Sequence, residues 1–537
     1  MTLDDIIKDW RETESRKSHW NEHWDDLARV MLPRRYGFSS TTVDGERRVD
    51  DIYDGTPIQA ARGLANAIGG MLRPEGELIA TMQAEDDELN DIQEVKDWLG
   101  DTQERLQDAI NNPKARFRQA TGEVDIDLSV FGTGIMFIGD LFDHLVFQSV
   151  HLKNANVRFD EYGVANGLYQ ERKFTVRQLI EKFREKKLSQ QVKEASKNSL
   201  NTKVQCLHAI LPRNEGRQGA LLARNLPYYD MWIEVESKHI LFEGGFHEFP
   251  FAIPRWDTSS GEDYGRSPGM IALPDADTLQ AMGETILIAG QRAADPPLAV
   301  PNDGAFNAMN TFPGGLSYYD TDTAAAIGGN PFFEIGSGFN LPISREMQND
   351  HREQVFSAFF RNVLNLPING PQMTATEVIE RKEEFIREIG PVFGRLETDY
   401  TAPMIERSFN IMLRGGGFRE IPEILQGRNV KFEYSSPVKK IRKKIESEAA
   451  KMWASEMIQL AQVKPAALDL INEDELGRFS AEALGVPNKI VNGKDVIEQL
   501  EQQRQQAIQQ QQEQQLISQA ASIAETGANI GEKIANQ

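Results

Sequence analysis

Two adjacent prolines, Pro296 and Pro297, close a helix that apolar periodicity predicts over Asp275–Ala294. Neither has an amide donor and each restricts the residue before it, so no regular helix runs through them. The next stretch, Leu298–Asn340, is rich in Gly, Pro, Asn and Thr with short apolar runs, which predicts a small strand-and-turn module. Beyond it Met347, Val355, Phe359, Phe360, Val363 and Leu364 supply the apolar face of a second helix running to about Leu364. Two helices of similar length around a strand-rich insert must run up and down, because both ends return to one level.

The second helix enters a polar loop, Asn365–Met373, and a further helix leaves it. Pro367 and Pro371 stiffen this loop, and Gly370 permits a turn that other residues resist. Thr374 or Thr376 then caps the outgoing helix, with Glu377 or Glu380 placed for a capping box or the helix dipole. That helix reaches Leu413 and must bend or break near Gly390-Pro391 and Ala402-Pro403.

Elsewhere helical and β-rich stretches alternate. From Leu3 to Leu32, Ile6, Ile7, Trp10, Trp20, Trp24, Leu27 and Val30 recur at helical spacings, with the tryptophans as packing residues. In "DGTPIQAARGLANAIGGMLRP", Thr56 is expected as cap and Pro57 as first helical position; a third helix follows over Glu94–Asn111. From about Asp125 to Ile253, runs such as "GIMFIGDLF", "VQCLHAILPR" and "YYDMWIEV" predict a mixed, antiparallel α+β region with one helical insert, "TVRQLIEKFREKK". "VKFEYSSPV" signals a strand, followed by helices over Lys439–Gln462 and Glu473–Leu484. From Glu498 onward Gln dominates; helix propensity is good but no continuous apolar stripe exists, so order there calls for neighbouring copies.

With 537 residues the chain is expected to form two to four structural units. Its net charge of -22 is opposite to that of a general nucleic-acid binder. A single cysteine, Cys206, excludes internal disulfides and Cys-based zinc sites, and fits folding in a reducing compartment. No apolar run approaches the roughly 20 residues that cross a bilayer, and "MTLDDIIKDW" lacks the basic-then-apolar order of a signal peptide. Neither secretion by that route nor membrane insertion is expected.

Four motifs could carry chemistry. "GRSPG", Gly265–Gly269, has the spelling of a hydrolase nucleophile elbow around Ser267. The residue after the serine should donate its amide to an oxyanion hole, yet Pro268 has no amide hydrogen, which favours a turn leading into a helix. "HWNEH" would place His19 and His23 one helical turn apart beside Glu22, but a catalytic zinc needs a third ligand and a pocket. "NGKD", Asn492–Asp495, is a fragment of a phosphate-binding loop without its first glycine or its hydroxyl residue. The basic run Lys439, Lys440, Arg442, Lys443 and Lys444 reads first as a solvated helix face pairing with Glu446 and Glu448, and second as a set of DNA or phosphate contacts.

Taken in order, several segments resemble the portal, or head-to-tail connector, proteins of short-tailed bacteriophages. They are "DGTPIQAARGLANAIGGMLRP", "YGRSPGMIALPDADTLQAMGETILIAGQRAADPPLAVP", "PQMTATEVIERKEEFIREIGPVFGRLETDYTAPMIERSFNIMLRGG", "KFEYSSPVKKIRKKIESEAA", "PAALDLINEDELGRFSAEALGVPNKIV" and the Gln-rich end. The resemblance implies a mainly α-helical, multi-domain α+β portal fold assembled as a ring, usually of twelve subunits, at one capsid vertex of the virion. On that pattern residues 1–264 and 374–437 form a wing, 265–297 and 341–364 two stem helices, and 298–340 a clip. Residues 365–373 form a tunnel loop, 438–500 a crown, and 501–537 a C-terminal barrel helix.

The loop residues Asn365, Pro367, Ile368, Asn369, Gly370, Pro371, Gln372 and Met373 would face double-stranded DNA. Lacking Lys and Arg, they would touch it without gripping. The implied partners are further copies of the chain, DNA in the channel, a terminase motor, a tail adaptor, and capsid and scaffolding proteins, with assembly in the host cytoplasm and no membrane. The resemblance implies no enzyme, cofactor or metal. The alternatives are a virion scaffold or head-tail adaptor without a channel, or a serine hydrolase using Ser267.

Overall fold

A computed structural model describes the chain except for residues 1, 41–44, 47–50, 75, 77, 142, 221, 296–297, 302–311, 313–314, 320–332, 335–340, 362–389, 435–436, 463, 487–489, 513 and 515–537. In chain order the principal elements begin with α1 (Leu3–Met31), α2 (Thr56–Leu72), β1 (Ala80–Ala84), α3 (Gln93–Asn111) and α4 (Phe117–Phe131). Next come β2 (Met136–Leu141), β3 (His144–Ser149), β4 (Ala155–Phe159), β5 (Ala165–Thr175), α5 (Val176–Phe183), α6 (Gln190–Asn198), β6 (Lys203–Pro212), β7 (Tyr228–Glu234), β8 (His239–Phe246) and β9 (Phe251–Ala252). The remainder comprises α7 (Pro268–Ala294), β10 (Leu298–Pro301), β11 (Leu316–Tyr319), β12 (Phe333–Glu334), α8 (Leu341–Ala358), α9 (Ala402–Arg414), β13 (Val430–Tyr434), α10 (Pro437–Ala461) and α11 (Glu473–Leu484). They divide into one unit of Met1–Glu77 with Asn111–Ser408, and a second of Leu78–Ile110 with Phe409–Gln537.

In the first unit the antiparallel order β4-β5-β6-β7-β8 is sandwiched by helices. Successive side chains of a strand point to opposite faces, so β6 serves two cores at once. Leu207, Ala209 and Leu211 pack with Ile6, Ile7 and Trp10 of α1, while Val204 and Cys206 pack with Val176, Leu179 and Phe183 of α5 and Val192 of α6. The sequence predicts one helical insert between β5 and β6; the structure has two, capped by Thr175 and Ser189. Lys17, 2% exposed, ties α1 to the start of the sheet by donating to Leu152 O at 2.6 Å, Ala155 O at 2.9 Å and Asn156 Oδ1 at 3.0 Å. Burial pulls its ammonium down to about 7.

The strand-like texture expected from about Asp125 begins later, because Asp125–Phe131 belongs to α4. Asp125 and Asp127 are buried there opposite Arg73 and Arg35. Such partners, distant in the chain, leave no trace in local periodicity. Gly132, at φ 76°, ends α4 where the "GRSPG" segment crosses it; a Cβ on either Gly132 or Gly265 would come within 2.4 Å of the other's carbonyl oxygen.

Burial pushes the Asp127 carboxyl up to about 7, against the pull of Arg35 at 3.4 Å. Its folded-state value therefore lies above the unfolded value of about 3.9. The stabilisation is complete below that unfolded value and is lost as pH rises through about 7. Asp127→Asn is expected to flatten this decline, worth no more than about 4 kcal/mol. Thermal unfolding of both proteins from acid to neutral pH checks it, and parallel profiles would refute it.

α7 starts at Pro268, earlier than predicted, and contains Pro274. α8 spans Leu341–Ala358 and ends where Phe360 takes a φ of 58°, short of the Leu364 expected, whose position lies outside the described residues. β10 pairs parallel with β11 and antiparallel with β12 in the region between the two helices. The irregularity expected at Ala402-Pro403 takes the form of a wide π turn, Glu397–Thr401, directly before α9. Pro403 offers no amide to the preceding turn, and the wider turn accommodates its ring.

In the second unit β1 pairs antiparallel with β13. Side chains satisfy the other edge of β1: Met82 N donates to Gln103 Oε1 at 3.1 Å, and Ala84 N to Asn90 Oδ1 at 2.7 Å. Val95, Leu99, Leu106 and Ile110 form the buried stripe of α3. α11 is capped by Asn472 and closed by Gly485 at φ 74°. Residues 494–512 are helical, and the described ones from 498 on are exposed. Among the described residues no helix is long and apolar enough to cross a membrane.

Candidate functional site

The two helices around the strand module are the centre of the candidate site. α7 and α8 carry six acids, Asp275, Asp277, Glu284, Glu346, Asp350 and Glu353, against Arg292, Arg345 and Arg352. Their surfaces also expose Ile271, Leu287, Ile288, Ile343 and Met347. An acidic pair of helices with apolar side chains in the open repels phosphate and offers non-polar surface to a neighbour.

A polar node seats the pair on the rest of its unit. Asp54, buried at 4% exposure, accepts from Arg352 Nε at 2.9 Å, Arg352 Nη2 at 2.8 Å, Gln348 Nε2 at 3.4 Å and Thr56 N at 2.8 Å. Gln280 of α7 answers from the other side: its Oε1 accepts from Tyr53 N and Asp54 N, and its Nε2 donates to Asp54 O. Gly283 allows Tyr53 to lie against α7, since a Cβ there would meet Tyr53 Cβ at 2.8 Å. Burial opposes ionisation of Asp54, but Thr56 and Arg352 together hold its carboxyl below the usual range. Asp275 pairs with His351 and Asp277 with Arg29, both at 2.8 Å.

This node went unread in the sequence. The links from Asp54 to α7 and α8 span 226 to 298 residues, and the one local signal, the helix start "DGTP", points to Thr56 as cap. The structure corrects that: Gly55 is the N-cap residue, Thr56 opens the helix, and Asp54 supplies the accepting carboxylate.

The loop Asn365, Pro367, Ile368, Asn369, Gly370, Pro371, Gln372 and Met373 lies outside the described residues. Of the basic run, Lys439, Arg442 and Lys444 are exposed on α10. Lys443 instead donates to Glu433 of β13 and Glu482 of α11, each at 2.7 Å. Partial burial works against the charge, yet the two carboxylates hold that ammonium above its ordinary value. Lys443 is thus bound to the acids that tertiary packing brings to it, rather than to the predicted Glu446 and Glu448.

The remaining motifs have structural occupations. Ser267, 2% exposed, caps α7: its Oγ accepts from Met270 N at 3.1 Å and donates to Val130 O at 2.6 Å. A hydroxyl committed in both directions is not poised as a nucleophile. His19 and Glu22 are exposed on α1 and His23 is half-buried. Among the described residues no group of three or more His, Cys, Asp or Glu is placed to hold a metal.

The model of the family described as bacteriophage head to tail connecting protein matches residues 3–491. The chain is 29% identical over 540 residues to the probable portal protein of Bordetella phage BPP-1, covering 98% of this chain and 95% of that one. It is 28% identical over 516 residues to the portal protein of Salmonella phage epsilon15, covering 93% and 90%. Among solved structures, a chain of the virion of a native gene transfer agent particle aligns with a TM-score of 0.37 at 11% identity, over 81% of this chain and 94% of that one.

Proposed function

Because the chain belongs to the bacteriophage head-to-tail connecting protein family, a structural rather than catalytic family, we propose that it works as a phage portal: a ring of twelve copies at one capsid vertex, with a central channel for DNA. The family match over residues 3–491 carries this reading. The acidic helix pair supports it, since a lumen with net repulsion lets DNA slide where a phosphate-binding one would arrest it. Residues 265–297 and 341–364 are the stem of each subunit, 298–340 the clip where a terminase motor and a tail adaptor dock, and 365–373 the tunnel loop. Residues 1–264 and 374–437 make the wing, 438–500 the crown and 501–537 an internal barrel. Exposed Lys439, Arg442 and Lys444 give sparse phosphate contacts, Lys440 belongs to the same run, and Lys443 positions α10 through Glu433 and Glu482. Assembly takes place in the host cytoplasm with capsid and scaffolding proteins.

Native mass measurement of the purified protein tests the ring. Twelve copies of the 60.5 kDa chain give about 726 kDa. A population of monomer or open polymer only would favour a scaffold or adaptor without a channel. Deleting Ile368–Gln372 is expected to leave that mass intact while impairing DNA packaging or retention; unimpaired packaging would reject the loop's role.

A further inference from the structure

The motif Asn492–Asp495 is engaged inside the second unit, with its glycine amide and its lysine both turned to protein partners. Gly493 N donates to Gln93 Oε1 at 2.7 Å, and Gln93 N approaches Asp495 Oδ2 at 3.4 Å from a position 402 residues away. Gln93 opens α3, so Asp495 places a carboxylate at the amino end of a helix that begins far from it in the chain. The arrangement has the reciprocity of a capping box, with its two halves on separate segments.

Charge closes the same joint. Lys494 Nζ lies 2.8 Å from Asp91 Oδ2 and 3.6 Å from Glu475 Oε1. Arg478 Nη1 lies 3.9 Å from Asp91 Oδ1, and its Nη2 donates to Asn492 O at 3.1 Å. Lys96 of α3 lies in the field of Asp91 and Asp495, so three bases face three acids. Gly493 is buried against the turn before α3: a Cβ there would meet Asp91 O at 2.7 Å and Asp495 Oδ1 at 2.3 Å. The segment therefore seats only with glycine at this position.

Past this joint, the described residues of 498–512 are exposed, so the helix starting at 494 has no other anchor among them. We propose that Asn492–Asp495 is a clasp that fixes the root and bearing of the C-terminal helix and, through the shared cap at Gln93, couples its release to fraying of α3. The clasp joins the edge formed by residues 91–96 to the helix root, and its ion pairs are open enough for salt to weaken them.

Hydrogen exchange on the full-length chain tests this with two variants, Gly493→Val, which wedges the joint, and Asp495→Ala, which removes only the shared carboxylate. Both are expected to raise exchange about tenfold or more at residues 494–500 and in the first turn of α3 together, with α10 unchanged. Adding sodium chloride to the unmodified chain is expected to move the same two segments in the same direction. Faster exchange in one segment alone, in neither, or equally throughout α10 overturns the proposal. The outcome is independent of ring formation, which the mass measurement reads separately.

Discussion

Replacing Arg73 with Met is expected to cost the first unit about 3–5 kcal/mol near neutral pH, the penalty for breaking a buried pair from one side. Arg73 and Asp125 are 7% and 3% exposed, and the guanidinium pairs directly with the carboxylate. The same guanidinium lies 5.0 Å from the ring centroid of Tyr400, a fully buried side chain just before α9, so it joins α2, α4 and the π turn. Without it Asp125 keeps its place with no counter-charge, and one of its oxygens already lacks a hydrogen-bond partner. Burial raises the Asp125 carboxyl even with Arg73 present, and the variant raises it further. A raised folded-state value means the loss is largest at neutral and alkaline pH and is relieved as acid protonates the group. Thermal unfolding at mildly acidic and at alkaline pH measures this. The double variant Arg73→Met with Asp125→Leu should recover most of the stability, because both charges then leave the interior. A single variant as stable as the parent at alkaline pH would show that the pair contributes nothing.

Asp54→Ala is expected to loosen the seating of α7 and α8 by about 2–3 kcal/mol, with Asp54→Asn costing roughly 1. The carboxylate accepts from Arg352, Gln348 and Thr56 N, while Gln280 grips the backbone on either side of it. Arg352 is 38% exposed and can turn to water, which keeps the expected cost below that of Arg73. Hydrogen exchange should rise in the middle of α7 and α8 and in the first turn of α2, with α5 and the sheet strands unaffected. Unchanged exchange there would mean that apolar packing alone seats the pair.

Where local chemistry decides, the sequence could be read directly. The helix following Thr175, the helix beginning at Glu473, the end of α7 before Pro296 and the irregularity before Pro403 each depend on groups within a few residues. The alternation of β6 placed Leu207 and Cys206 on opposite faces for the same reason. The helix through Asp125 and Asp127 could not be read, since acids at buried helical positions look like solvent-facing or strand residues until their arginines are known. The turn into a helix at Ser267 was legible, since its cap on Met270 N is local; the anchor of the same hydroxyl on Val130 O, 137 residues away, was not.

The amino-acid sequence by itself determined where most elements start and stop, the acidic balance of the chain and, through the order of its segments, its family. These are matters of neighbours in the chain and of pattern. Only the tertiary structure decided what Asp54, Arg73, Lys443 and Asp495 do. Each is an unremarkable charge on its own segment, and its energy is set by a partner 10 to 402 residues away that the fold brings within hydrogen-bonding reach.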